Sequence, residues 1–157
     1  MFHAKICLRI GLNPSIEEIL REKTFEGLPL EELTDLLIIY WNAISEFYPE
    51  AFENPQEYSL LCTPGVFSLH RLFHSIYARC IRRCIFEKDI VMRTLCLLME
   101  ETPNHPKVEF RAPITVEFWS KSHGPAISIS TSLQIIKELY LNLAMKIKLA
   151  ELNRQNR

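Results

Sequence analysis

Glycine is scarce in this chain, and its few glycines lie far apart. The 157 residues contain glycine only at positions 11, 27, 65 and 124. A P-loop or a dinucleotide-binding loop needs several glycines within a few residues, because its backbone must approach the phosphates closely. The sequence therefore argues against nucleotide binding through either kind of loop.

Long apolar runs and secretory features are also lacking. No uninterrupted apolar stretch reaches the roughly 18 residues that a membrane-spanning helix requires, and no signal-peptide pattern opens the chain. The five cysteines are odd in number and irregularly spaced, which is not typical of a disulfide framework. We therefore predict reduced thiols, a cytoplasmic location and no association with membranes.

The composition is that of a folded domain. Hydrophobic residues make up 48% of the chain, aromatic residues 10%, and the formal net charge is −1. A chain of this length can bury a sizeable core. We expect one compact domain over residues 1–153, followed by a frayed polar tail at residues 154–157.

Apolar residues recur at helical spacing along most of the chain. This pattern predicts helices over residues 14–23, 28–48, 63–83, 87–101 and 132–153. Residues 1–11 alternate in part, which fits a strand or a short helix; residues 108–111 fit an edge strand, and residues 114–119 a strand or the start of a helix. We predict a mainly α fold of five to six helices with at most a small strand pair.

The segment from Thr63 to Arg83 carries the strongest local signals. Thr63 is a good N-cap, and Pro64 fits the first helical turn. No acidic residue occurs from Thr63 through Arg83. The helical periodicity places four arginines side by side next to the apolar face: Arg71, Arg79, Arg82 and Arg83.

Guanidinium groups bind phosphates well, and a row of them attracts a nucleic-acid backbone. The arginine face therefore predicts contact with DNA or RNA. The acidic segment just before the helix, with Glu50, Glu53 and Glu57, offers the alternative of a charge network that neutralises the arginines.

The last predicted helix is apolar on two opposite faces. One face carries Ile136, Leu139, Tyr140, Leu143, Ile147 and Ala150. The other carries Leu141, Met145, Leu149 and Leu152. A helix with two apolar faces must be covered on both sides, so the second face predicts an interface with another copy or with a partner protein.

Some histidines, cysteines and serines have the spacing of metal ligands or catalytic groups, but no further motif supports such a role. His70 and His74 have the i, i+4 spacing of a metal pair, as do Cys80 and Cys84, but no HExxH or CxxC motif accompanies them. We expect these side chains to pack in the interior. Serine or cysteine nucleophiles next to a histidine, such as Ser122 beside His123, lack a recognisable catalytic signature. We expect a non-enzymatic protein without a metal ion or a cofactor.

Two stretches, FYPEAFENPQEYSLLCTPGVFSLHRLF and EFWSKSHGPAISISTSLQIIKELYLNL, resemble the C-terminal helical part of DGQHR-domain proteins. The resemblance covers roughly residues 30–145 and is carried by Pro49, Thr63, Gly65, Trp119 and Gly124. The Asp-Gly-Gln-His-Arg motif that names the family is absent here. The resemblance implies an association with DNA modification and genome defence.

Together these features predict an accessory or regulatory module of a bacterial DNA-modification or defence system, which binds nucleic acid through its arginine face. The alternative is a protein-interaction or oligomerisation module that uses the second apolar face of the last helix.

Overall fold

The computed structural model describes residues 15–81, 85–106, 108–128 and 133–156. Within these ranges the protein is mainly helical, as predicted. We label the α-helices α1 (residues 15–20), α2 (Leu30–Phe47), α3 (Pro49–Glu53), α4 (Thr63–Ile81), α5 (Lys88–Cys96) and α6 (Leu133–Gln155). Short 3-10 turns lie at Lys23–Phe25, Leu97–Met99, Val116–Trp119 and Pro125–Ser128.

Helix α4 is the centre of the core. It packs against α6 and α5 and contacts α2 where the ring of Phe73 meets that of Tyr40, and Leu72, Phe73 and Ile76 are buried. The hydroxyl of Tyr40 on α2 donates to the carbonyl oxygen of Leu69 over 2.7 Å, which ties the two helices together inside the core. The apolar face predicted for this segment is therefore its buried face.

Local sequence signals mark both the start and the end of helix α2. Its first turn carries Glu31 and Glu32, whose charges are favourable at the positive end of a helix dipole. Pro49 cannot continue α2, because it has no N–H to donate, and it opens α3 instead. Between them, the Tyr48 hydroxyl donates to the carbonyl oxygen of Ile114 over 2.7 Å and anchors the end of α2.

The strand predictions have different outcomes. The described residues contain no strand: residues 108–111 are irregular, and residues 114–119 end in the 3-10 turn Val116–Trp119. Tyr58 and Ser120 form an isolated antiparallel bridge, and Ser59 N donates to Trp119 O over 2.7 Å. The strand predicted over residues 1–11 lies outside the described residues.

Several helix ends differ from the prediction, and the first helix, predicted over residues 14–23, ends at residue 20. The helix predicted over residues 87–101 ends at Cys96 and tightens into the 3-10 turn Leu97–Met99. Helix α6 continues to Gln155, two residues into the segment expected to fray. Arg154 in that last turn is held by its Nε, which donates to Glu100 Oε1 over 2.6 Å.

The turn before α6 depends on a glycine. A Cβ atom at Gly124 would lie 2.5 Å from Glu117 O and 2.6 Å from Phe118 O, so only glycine fits without a shift of the backbone.

Helices in the described ranges lack the combination of length and apolarity needed to cross a bilayer.

Candidate functional site

The two described arginines of α4 are paired within the protein. Arg71 Nη2 contacts Glu18 Oε1 on α1, and Arg79 Nη1 lies 3.1 Å from Glu151 Oε2 on α6. Their side chains are only 21% and 30% exposed. Arg82 and Arg83, the other members of the predicted nucleic-acid face, lie outside the described residues. Arg71 and Arg79 therefore join α4 to its neighbours, whatever else they contact.

The carboxylates that pair with these arginines differ from those considered in the sequence. Glu50, Glu53 and Glu57 lie on the segment that packs against the turn around Ser120. There Lys121 N donates to Glu57 O over 2.8 Å, and Lys121 Nζ donates to Pro55 O over 2.9 Å. Burial, reinforced by the charges of Glu117, Glu57 and Glu50, raises the pKa of Tyr58. The acidic segment thus lies against the turn, and α1 and α6 supply the partners of Arg71 and Arg79.

His70 is a buried histidine with both ring nitrogens engaged. Trp41 Nε1 donates to His70 Nε2 over 2.9 Å. Because Nε2 accepts, the proton of the neutral ring is on Nδ1, which lies 2.9 Å from Ser15 Oγ. Burial lowers the pKa of His70 to about 4. A neutral imidazole with both nitrogens occupied connects α1, α2 and α4 and has no position left for a metal ion.

His74, one turn farther along α4, has a different environment. Its Nε2 contacts Thr24 Oγ1 and lies 3.9 Å from Glu22 Oε2. Since His70 and His74 have separate partners, they do not converge on a common point. Within the described ranges, no three His, Cys, Asp or Glu side chains are placed to hold a metal ion. Cys80 is buried there, and Cys84 lies outside these ranges.

A polar cleft opens beside these histidines, between α1, α4 and α6. Its volume is about 260 Å³. Glu18 and Glu22 line the α1 side, Arg71 and His74 line the α4 side, and α6 contributes Lys137 and Tyr140. Hydroxyl groups also meet here, because Tyr140 Oη lies 3.0 Å from Ser75 Oγ. We call this site the polar cleft.

The two faces of α6 have different environments. Ile136, Leu139, Leu143, Ile147 and Ala150 on the inner face are buried. On the opposite face Leu141 is 48% exposed and Leu152 is 43% exposed, and Met145 and Leu149 are half-buried. We call Leu141, Met145, Leu149 and Leu152 the outer stripe of α6. The apolar line predicted as an interface therefore faces outward in this chain.

One hydrogen-bonded group includes a residue that the sequence did not single out. Ser122 Oγ lies 2.7 Å from His123 Nδ1, and His123 Nε2 lies 2.7 Å from Glu117 Oε2. The order of serine, imidazole and carboxylate is that of a nucleophile, its base and an orienting group. However, His123 and Glu117 are 67% and 59% exposed, and the polar cleft does not include them. The turn at Gly124 brings Glu117 to the pair, and no residue spacing indicated this contact.

A buried lysine was also missed. Lys146 is 1% exposed, and its Nζ donates to Glu100 O over 2.6 Å, to Arg111 O over 2.9 Å and to Thr102 Oγ1 over 3.0 Å. Burial lowers the pKa of Lys146, although the nearby charges of Glu100 and Glu101 act in the opposite direction. With all three ammonium hydrogens used, Lys146 is a structural anchor for residues 100–111. A lysine between two apolar faces gives no sequence signal of this role.

Comparison with known proteins adds no relative: the chain matches no family model, no curated protein and no solved structure. The resemblance to DGQHR-domain proteins stays a prediction.

Proposed function

We propose that this protein is a helical interaction module that binds a second copy of itself through the outer stripe of α6. The observation that carries the proposal is the exposure of Leu141 and Leu152 on a helix whose opposite face is already buried. Apolar side chains aligned on one exposed face leave a patch that association can remove from water.

The arrangement of the stripe favours a second copy over an unrelated partner. Leucine stands at both ends, and Met145 and Leu149 lie between them at spacings that keep all four on one side of the helix. If two copies pair antiparallel about a two-fold axis, Leu141 of one faces Leu152 of the other. The nearby exposed Lys148 can lie along the edge with its ammonium group in water.

Sedimentation velocity over a concentration series tests this function. We expect the wild type to shift from monomer to dimer as its concentration rises, and a Leu141→Ser, Leu152→Ser double variant to stay monomeric with unchanged circular dichroism. Ile38→Ser is the matched control, because Ile38 is 52% exposed on α2 and should leave the dimer intact. A wild type that is monomeric at every concentration would contradict the proposal.

A second candidate function is nucleic-acid binding, as an accessory module of a DNA-modification or defence system. It is supported by the four arginines and the absence of acidic residues from Thr63 through Arg83. Because Arg71 and Arg79 form ion pairs within the protein, we expect Arg82 and Arg83 to make the main phosphate contacts.

Fluorescence anisotropy with labelled DNA and RNA at several salt concentrations tests this candidate. Binding should weaken steeply with added salt, because phosphate contacts release counterions. The Arg82→Gln, Arg83→Gln double variant should lose most of the binding, whereas Lys148→Gln on α6 should not. Absence of salt-sensitive binding to either nucleic acid would rule this function out.

A further inference from the structure

The polar cleft has walls of opposite charge. The chain around α1 contributes the carboxylates of Glu18 and Glu22, and the facing helices contribute the cations of Arg71 and Lys137. Glu18 and Arg71 contact each other across the cleft and so satisfy one pair of charges. The charges that remain for a ligand are Glu22 on one wall and Lys137 on the other.

These two residues are available to different extents. The Glu22 side chain is 49% exposed, and its carboxylate lies 3.9 Å from His74 Nε2. Lys137 is exposed and makes no ion pair within the described ranges. A molecule in the cleft would therefore have access to both the Glu22 carboxylate and the Lys137 ammonium group.

The remaining lining defines the size and the polarity of a ligand. The volume of about 260 Å³ is below the roughly 300–1,000 Å³ of sites that hold drug-sized ligands, so the cleft suits a small metabolite. The Tyr140 hydroxyl can donate to an acceptor when it accepts from Ser75, and the side chain of Ile19 adds an apolar surface.

From this lining we infer that the polar cleft binds a free α-amino acid. The ammonium group of the ligand pairs with Glu22, and its carboxylate pairs with Lys137 and accepts from Tyr140. The ligand side chain lies against Ile19. Opposite charges in one small ligand match opposite charges on the two walls, whereas a simple anion or cation satisfies only one wall.

Thermal unfolding of the full chain with each of the common α-amino acids at 10 mM tests this inference. At least one amino acid should raise Tm by on the order of 2–3 °C relative to sodium chloride at the same ionic strength. Acetate, ethylammonium and inorganic phosphate each carry charge of one sign and should give no comparable rise. No stabilising amino acid, or an equal rise with acetate, ethylammonium or phosphate, would overturn the inference.

Variants locate the effect in the cleft. Glu22→Gln and Lys137→Met should each reduce the rise in Tm at least threefold, while Lys148→Met, on the same helix outside the cleft, should keep it. A rise that persists in either cleft variant would also overturn the inference. The Leu141→Ser, Leu152→Ser variant should still respond, which separates ligand binding from self-association.

Discussion

At the scale of single residues, His70 shows how burial changes the chemistry of a side chain. The sequence offers it as one of a pair of metal ligands, but in the fold it holds Trp41 and Ser15 as a neutral ring. Burial favours the neutral ring over the charged one, because a charged imidazole would lose its hydration. His70 therefore couples stability to pH.

The pH dependence has a definite direction. Burial lowers the pKa of His70 from 6.5 to about 4 in the folded protein. Between these values the unfolded chain binds a proton that the folded chain does not bind. The contribution of His70 to the free energy of unfolding is therefore fully present above pH 6.5, and it falls by about 3 kcal/mol as the pH falls to 4.

Urea unfolding followed by circular dichroism from pH 4 to pH 7 measures this contribution. His70→Gln should be less stable at pH 7 and should show a shallower loss of stability on acidification. His123→Gln is the control for the loss of an imidazole, because His123 is 67% exposed and its replacement should cost less stability at pH 7 than His70→Gln does. Equal slopes in the wild type and His70→Gln would contradict the assignment.

At the scale of elements, Lys146 attaches an irregular segment to a helix. The described residues between 100 and 111 form no helix or strand, so side chains must satisfy part of their backbone polar groups. Lys146 on α6 donates to two of these carbonyl oxygens and to the Thr102 hydroxyl. Lys146 therefore holds this segment against α6, together with Asn142, whose Oδ1 accepts from Glu109 N over 2.6 Å.

We predict that Lys146→Met destabilises the protein by about 3 kcal/mol, because it leaves buried acceptors without a donor. Equilibrium urea unfolding gives the difference. Lys148→Met removes an exposed charge two residues away and should change stability by less than about 0.5 kcal/mol. If both variants lose the same small amount, the three hydrogen bonds of Lys146 do not anchor the segment.

At the scale of the whole molecule, the proposed dimer has an expected strength and salt response. In the antiparallel dimer, the double serine variant removes both symmetry-related contacts between Leu141 of one copy and Leu152 of the other. At about 1.5 kcal/mol for each contact, the dimer loses about 3 kcal/mol, which corresponds to roughly a 100-fold weaker Kd. Because the outer stripe is apolar, 0.5 M salt should leave the dimer intact. Dissociation at high salt would instead indicate an electrostatic interface.

Part of this architecture could be predicted from sequence alone. The helices α2 and α4 were located to within a few residues, because apolar side chains at helical spacing and prolines at the first turn are local signals. The two-faced pattern of α6 was visible for the same reason. The burial of Leu143 and Ile147, and the exposure of Leu141 and Leu152, required the structure.

The sequence alone determined that the chain is mainly helical, because helical periodicity depends on residues only three or four positions apart. Its composition also determined that enough apolar residues are present to fill a core. Only the tertiary structure decided the partners of the charged groups. Glu18 and Arg71 are 53 residues apart and Lys146 and Glu100 are 46 apart, and a spacing rule cannot predict contacts over such distances. The same long-range packing formed the polar cleft, because its walls come from three helices that meet only in the folded chain.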